Sequence, residues 1–205
     1  MYPPIIGLTG KRGAGKDTAA RLIEKLTSGA YCQKLYFADS IKWMAQPLTG
    51  LPLAALYTQE GKATYLPELG MSVGELFQRL GQALRDSLHA DVWVIDTMAK
   101  VLPGKCTLIP DVRYPNEARA ILARGGVVLR VLGDPLQQQG DGTRDDRHPS
   151  ETALDETEFP VLYNTSTELS LRAQLSNALR RLRAGQKLTL PSQRQPDHIT
   201  HLFNL

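Results

Sequence analysis

Short apolar runs alternate along the chain with segments in which apolar residues recur at helical spacing. The runs predict buried strands at 5–9, 34–37, 106–111, 127–132 and 161–163. The periodic segments predict helices that begin near Asp17, Asp39, Ser72, Asp91, Pro115 and Glu168. Pro47 is expected to end the second helix, because the residue before a proline disfavours helical backbone. Since strands alternate with helices, the pattern predicts an α/β fold: a mainly parallel sheet flanked by helices on both faces.

Polar and proline-rich segments set the expected limits of the domain. Residues 1–184 are expected to form one domain, and the Gln- and Pro-rich tail at 185–205 to lie on its surface or fray. The stretch from Gly133 to Ser150 is almost wholly polar, so it predicts a lid-like loop that adds nothing to a core.

Composition narrows the class of protein. The chain contains no run of about 18 apolar residues and no basic start followed by a long apolar run, so we expect a cytoplasmic protein with no membrane partner. Its two cysteines are too few for a disulfide scaffold. The net charge of +3, from 24 basic and 21 acidic residues, is too small for a protein that coats nucleic acid. An anionic ligand must therefore meet a local cluster of charge.

The most specific motif lies directly between the first strand and the first helix. It reads Gly-x-x-x-x-Gly-Lys from Gly10 to Lys16, the pattern of a phosphate-binding loop. Glycines let backbone N–H groups curl toward a phosphate, the helix N-terminus adds partial positive charge, and Lys16 supplies a full charge. The residues expected to surround the phosphates are Gly10, Arg12, Gly13, Ala14, Gly15, Lys16, Asp17 and Thr18.

The motif departs from its usual form after the lysine, where a hydroxyl residue ordinarily helps to hold magnesium. Asp17 occupies that position, and the hydroxyl comes one residue later, at Thr18. Asp17 either binds magnesium, through water, or caps the helix. A Gly-Lys-x-Thr ending is similar to that of small-molecule kinases of the nucleoside monophosphate kinase type.

Two further polar segments follow predicted strands, at the sheet edge where ligands bind in open α/β folds. Asp111 ends a strand and would hold a magnesium-bound water, while Arg113 would meet a phosphate; a structural Asp111–Arg113 ion pair is the alternative. Asp39 and Lys42 follow the second strand. Asp39 would orient the acceptor or accept its proton, or else cap a helix.

Candidate contacts to an acceptor and to the transferred phosphate lie in two other segments. Gln78 and Arg85, on the helix after Ser72, would contact the acceptor; the alternative for Arg85 is a solvated charge on the helix surface. Trp93 either stacks on a base or joins the core. In the polar loop, Arg144 and Arg147 would close over the phosphates in the manner of an arginine finger, or remain solvated.

Together these segments resemble the bacteriophage deoxynucleoside monophosphate kinase family. The matching motifs are Gly-Lys-Asp-Thr at 15–18, Phe-Ala-Asp-x-x-Lys at 37–42, the segment 80–93, Asp-Val-Arg-Tyr-Pro-Asn-Glu at 111–117, His-Pro-Ser-Glu at 148–151 and Asn164. The resemblance implies a P-loop kinase fold with a helical substrate-binding insert at about 43–104 and a lid at about 133–150. It implies transfer of the ATP γ-phosphoryl group to a dNMP for DNA precursor synthesis, with Mg²⁺ as cofactor, and it allows a homodimer.

The resemblance also implies a role for each candidate residue. The residues implied in catalysis are Lys16, Asp39, Arg113, Arg144 and Arg147. The ATP site would add Asn164 to the loop residues, and magnesium would be held by Asp17, Thr18 and Asp111. The acceptor site would contain Asp39, Lys42, Gln78, Arg85 and Trp93.

Three alternative functions are also compatible with the sequence. The first is a related phage kinase that would phosphorylate a hydroxymethylated pyrimidine already in DNA. This activity needs a basic groove, for which the arginines of the last helix at 172, 180, 181 and 183 are slender support. A dephospho-coenzyme A kinase shares the Gly-Leu-Thr-Gly opening at 7–10. A nucleotide-binding module that transfers no phosphate is the third.

Overall fold

A five-stranded, fully parallel sheet lies at the centre of the computed structural model, which describes residues 2–27, 32–133, 147–165 and 167–191. Its strands are β1 (Ile5–Thr9), β2 (Cys32–Lys34), β5 (Cys106–Ile109), β6 (Val127–Leu132) and β7 (Val161–Tyr163). They lie in the order β2-β5-β1-β6-β7, so β1 occupies the centre and is buried along its whole length. The phosphate-loop motif therefore follows the central strand.

Helices connect these strands, and several of them lie in the long segment between β2 and β5. They are α1 (Lys16–Leu26), α2 (Asp39–Thr49), α3 (Gln59–Ala63), α4 (Val73–Ser87), α5 (Val92–Ala99), α6 (Pro115–Ala123), α7 (Pro149–Thr152) and α8 (Glu168–Arg183). A 3-10 helix, Leu53–Tyr57, precedes α3, and a short hairpin of β3 (Tyr65–Leu66) and β4 (Met71–Ser72) precedes α4. Ser72 caps α4 by accepting the Glu75 N–H, so this helix begins where the sequence predicts.

Two apolar layers cover the sheet, because alternate residues of a strand face opposite sides. On one side, Ile6 packs in a cluster with Ile23 of α1 and Leu171 of α8. On the other side, Ile5 packs with Ile121 of α6. The predicted α/β fold with helices on both faces is confirmed. A third cluster, around Leu56 and Val73, lies within the segment expected to form the insert.

Two local predictions are wrong. The second strand ends at Lys34, whereas the apolar run predicted 34–37. Helix α2 continues through Pro47 to Thr49. The proline lies in the last turn, where its missing N–H removes one intrahelical bond just before the helix ends at Gly50.

Several predictions fall outside the described residues: Arg144, most of the polar loop, and the tail beyond 191. Within the described residues, no helix combines the length and the apolar character that crossing a bilayer requires.

Candidate functional site

The loop between β1 and α1 has a backbone that only glycine fits at its two ends. Gly10 has φ +139° and Gly15 has φ +92°. A Cβ on Gly10 would lie 2.3 Å from the Val131 carbonyl oxygen, and one on Gly15 would lie 2.1 Å from Asn164 Nδ2. The same amide nitrogen of buried Asn164 donates to the Ala14 carbonyl at 2.9 Å. Asn164 therefore supports the loop from behind.

Lys16 lies across this loop as its first helical residue. Its Nζ donates to the carbonyl oxygens of Gly10 at 2.6 Å and Lys11 at 2.8 Å. Burial, and secondly the positive charge of Arg113, lower the pKa of Lys16 to about 7, against an opposing effect of Glu151. The loop thus holds a desolvated cation at the helix N-terminus, where anion binding is favourable.

A cleft of about 540 Å³ extends from the loop to the face of α4. Its volume is in the range of small-molecule sites. The sequence-predicted residues on its walls are Arg12, Gly13, Gly15, Lys16, Asp17, Thr18, Lys42, Gln78, Arg85, Asp111 and Arg113. The structure thus brings residues of the loop motif and three of the candidate acceptor residues, Lys42, Gln78 and Arg85, to one cavity.

The end of β5 forms part of the cleft wall through Asp111. Both carboxylate oxygens of Asp111 accept backbone N–H groups, from Phe37 and from Ala38, each at 3.0 Å. Burial raises the pKa of this carboxyl, while the positive charge of Lys42 and these two hydrogen bonds oppose the rise. Asp111 therefore anchors the entry to α2 as well as facing the cleft.

Oxygen donors suited to a magnesium ion lie beside Lys16. Asp17 and Thr18 face the cleft from the first turn of α1, with Asp111 on the same cavity. Among the described residues, no group of three His, Cys, Asp or Glu side chains is placed to hold a metal by itself. The oxygen atoms of Asp17, Thr18 and Asp111 nevertheless fit Mg²⁺, because this ion typically takes one or two carboxylates and completes its shell with substrate phosphates and water.

Asp39 lies behind two residues of the cleft wall, Tyr57 and Lys42. It is the first residue of α2, so it does not cap the helix as one reading of the sequence expected, and it does not lie on the cleft wall. Its carboxylate accepts the Tyr57 hydroxyl at 2.7 Å and lies 3.5 Å from Lys42 Nζ. Lys42 Nζ lies 3.7 Å from the Tyr57 ring centroid. Burial lowers the pKa of Lys42 and raises that of Tyr57.

The far end of the cleft contains Gln78 and Arg85 of α4. Gln78 is buried, and its Nε2 lies 3.5 Å from the Ser150 hydroxyl. Arg85 stacks 3.9 Å from the Tyr114 ring centroid and donates to Glu117 at 2.7 Å. The guanidinium also donates to the Ala90 carbonyl at 3.2 Å, so three neighbours already orient it.

Trp93 does not reach this cleft. It is 2% exposed, and its indole N–H donates to the Gly81 carbonyl at 3.0 Å. Packing against α4 satisfies both its apolar body and its polar atom, so its predicted role in acceptor binding is not supported.

Arg113 pairs with a residue that the sequence did not suggest. Its Nη1 donates to the Ser150 carbonyl at 2.8 Å and to the Glu151 carboxylate, so the alternative Asp111–Arg113 pair does not form. Arg147 is exposed and lies outside the cleft lining, two residues before α7.

Sequence reasoning missed two groups of residues around the site. Tyr36, Tyr57 and Tyr114 line the cleft, and Lys11 fixes the α7 segment by donating to the Glu151 carbonyl at 2.7 Å. Tyr36 and Tyr114 could have been predicted as site residues, because they are adjacent in sequence to the Phe-Ala-Asp and Asp-Val-Arg motifs. Tyr57 has no such motif beside it, because it lies in an irregular segment.

A parallel sheet whose central strand leads through a Gly-x-x-x-x-Gly-Lys loop into a helix defines a P-loop α/β protein. The chain is 35% identical over 170 residues to the protein of Acanthamoeba polyphaga mimivirus named "Putative deoxynucleotide monophosphate kinase"; the match covers 73% of this chain and 81% of that protein. The chain belongs to the deoxynucleotide monophosphate kinase family. No family model matches it.

A solved structure is also similar, the crystal structure of TT1252 from Thermus thermophilus. It shares 22% sequence identity with a TM-score of 0.47, covering 89% of this chain and 99% of that one. The viral relative supports the kinase family without the finer assignment to bacteriophages, which stays a prediction, as does the homodimer.

Proposed function

We propose that this protein transfers the γ-phosphoryl group of ATP to a deoxynucleoside monophosphate, giving ADP and a deoxynucleoside diphosphate for DNA synthesis. The observation that carries the proposal is the continuous cleft of about 540 Å³ from the phosphate loop to α4. A donor triphosphate at Lys16 and an acceptor beside Gln78 and Arg85 then meet in the middle of one cavity. Family membership supports the same reaction.

The charge of the cleft suits two phosphorylated ligands. Among the described residues its basic lining side chains are Arg12, Lys16, Lys34, Lys42, Lys62, Arg85 and Arg113. Its acidic lining side chains are Asp17, Asp111 and Glu117. This excess of positive charge lowers the repulsion between an acceptor phosphate and a triphosphate.

An oxygen of the acceptor phosphate attacks the γ-phosphorus, the bond from that phosphorus to the β–γ bridging oxygen breaks, and ADP leaves. The acceptor phosphate is already largely ionised at neutral pH, because the second pKa of a phosphate monoester is about 6. No general base is needed. This agrees with the position of Asp39 behind Tyr57 and Lys42, where it orients Lys42 rather than accepting a proton.

Lys16 would stabilise the β- and γ-phosphates. Arg113, with Arg144 and Arg147, would stabilise the charge that spreads over the transferred group. Asp17, Thr18 and Asp111 would hold Mg²⁺, which supplies further charge neutralisation on the triphosphate. Lys42, Gln78 and Arg85 would form the acceptor side, with Asp39 orienting Lys42.

The test is release of ADP from ATP and magnesium, with separate panels of dNMPs, NMPs, dephospho-coenzyme A and DNA containing hydroxymethyluracil. We expect turnover with one or more dNMPs and its loss in Lys16→Met. Lys25→Met is the matched control, because Lys25 is exposed on the same helix. Turnover only with DNA or dephospho-coenzyme A overturns the proposed acceptor. ATP binding without turnover on any panel favours the module that transfers no phosphate.

A further inference from the structure

Glu151 of the short helix α7 contacts both the phosphate loop, through Lys11, and the segment after β5, through Arg113. The Glu151 side chain is 4% exposed and its carboxylate pairs with Arg113. Its main-chain carbonyl accepts from Lys11 Nζ at 2.7 Å. Glu151 therefore contacts both segments that carry the candidate phosphate-binding cations without lining the large cleft itself.

The Arg113 side chain is oriented by contacts at both of its ends. Its backbone N–H donates to Glu117 Oε2 at 2.7 Å, which fixes the start of the side chain. At the other end, Nη1 donates to the Ser150 carbonyl and to Glu151. Within the described residues, the guanidinium hydrogen bonds involve Nη1, so the donors on Nη2 and Nε remain for a ligand in the cleft.

Charge gives Glu151 a second connection to the site. Arg113 and Lys16 repel each other across the cleft, and Glu151 is the anion with the largest opposing influence on Lys16. A carboxylate here reduces the free energy of holding two cations close together before the phosphates arrive.

We infer that Glu151 is a positioning residue: through its ion pair it holds the Arg113 guanidinium in the orientation that stabilises the transferred phosphoryl group. The inference rests on the proposed kinase reaction. Glu151 does not line the cleft and its carboxylate pairs with Arg113, so we expect its effect on turnover to depend on Arg113 being present.

A double-mutant cycle with Glu151→Gln and Arg113→Ala tests this dependence. Gln keeps the size of the side chain and an accepting oxygen while removing the charge. We expect Glu151→Gln to lower kcat about tenfold or more, as is typical when the hydrogen-bond partner that orients a functional side chain is lost. The KM for ATP should change by less than about threefold. In the Arg113→Ala background the same substitution should change kcat by less than about twofold.

Asp155→Asn is the matched control, because Asp155 lies just beyond the same helix and forms an exposed ion pair with Lys11 at 2.6 Å. It should leave kcat within about twofold of the parent. An equal loss from Glu151→Gln with and without Arg113 shows a purely structural role and overturns the inference. An unchanged kcat in Glu151→Gln overturns it as well.

A readout without turnover separates this inference from the proposed function. The ¹⁵N–¹H signal of Arg113 Nε, assigned by its loss in Arg113→Lys, should shift in Glu151→Gln and stay in place in Asp155→Asn. Absence of dNMP turnover in the parent protein refutes the kinase reaction while this signal still reports the Glu151–Arg113 pair. A signal unmoved by Glu151→Gln refutes the positioning role.

Discussion

Arg85 of α4 and Glu117 of α6 form an ion pair at 2.7 Å in which their side chains are only 9% and 2% exposed. One Glu117 oxygen accepts from Arg85, and the other accepts the backbone N–H groups of Arg113 and Tyr114. Burial raises the pKa of Glu117 to about 7, against the attraction of Arg85. The pair therefore fixes the far end of the cleft and the loop after β5 together.

Removing the carboxylate should destabilise the protein strongly. Glu117→Ala leaves a buried guanidinium and two backbone donors without their partner, and we expect a loss of about 3–5 kcal/mol in the free energy of unfolding. Denaturation with urea measures it. Arg79→Ala is the control, since Arg79 forms an exposed ion pair with Glu75 on the same helix α4 and its loss should change stability by less than about 1 kcal/mol. Equal losses in the two variants would contradict the structural role of the buried pair.

Motifs of neighbouring residues predict many of the residues that line the cleft, whereas contacts between distant segments are not predictable from the sequence. The loop at 10–16 is predicted because its chemistry depends on neighbouring residues. Arg85 is predicted as an acceptor ligand, but its partner Glu117 lies 32 residues away, and no spacing reveals that pairing. Trp93 shows the same limit, because periodicity places it on an apolar face without telling whether that face meets the cleft or α4.

The fold follows the same division. Strand and helix alternation predicts the parallel sheet and its two apolar layers, since burial imposes that pattern on every strand. The end of β2 at Lys34 and the end of α2 at Thr49 are element boundaries, which a sequence pattern locates only to within a few residues.

Gly15 should resist replacement more strongly than another glycine with positive φ. Gly15→Ala adds a Cβ that would lie 2.1 Å from Asn164 Nδ2, in addition to the backbone strain at φ +92°. Gly50 has φ +64° with no atom near its added Cβ, so Gly50→Ala reports strain alone, about 1–2 kcal/mol. We expect Gly15→Ala to lose at least about 1 kcal/mol more in urea denaturation and to bind ATP more weakly.

Asn164→Ala combined with Gly15→Ala tests the origin of that difference. Removing the Asn164 amide opens the space, so the second substitution should add less in this background than in the parent. Equal effects in both backgrounds would show that backbone strain, and not the contact with Asn164, makes glycine necessary.

The Tyr57 hydroxyl should affect the KM for the acceptor dNMP and leave the KM for ATP unchanged. Tyr57→Phe keeps the ring beside Lys42 and removes the hydroxyl that donates to Asp39 at 2.7 Å. Asp39 then orients Lys42 less firmly, and the KM for the dNMP should rise about two- to tenfold, the equivalent of one hydrogen bond. The KM for ATP should change little. Tyr65→Phe, on an exposed hairpin residue, is the control, and a rise in the KM for ATP alone would argue against this arrangement.

Affinity for ATP should fall as the pH rises above neutrality. Burial lowers the pKa of Lys16 to about 7 in the free protein, so the neutral amine predominates at higher pH. Phosphate charges favour the protonated form, and binding must then take up a proton. We expect the Kd for ATP to increase by up to about tenfold for each pH unit between about pH 7.5 and about pH 9, where the phosphates themselves are already ionised. Isothermal titration in buffers of different ionisation enthalpy measures both affinity and proton uptake.

The stability of the free protein should increase with pH over the range in which its affinity for ATP decreases. The folded pKa of about 7 lies below the unfolded value of 10.5, so between these values the unfolded chain binds more protons and the free energy of unfolding rises with pH. Lys16→Met should remove both trends, giving weak ATP binding and a stability that lack this pH dependence. A Kd for ATP that is independent of pH in the parent protein would show that Lys16 remains fully charged in the empty loop, and that the carbonyl oxygens of Gly10 and Lys11 compensate its burial.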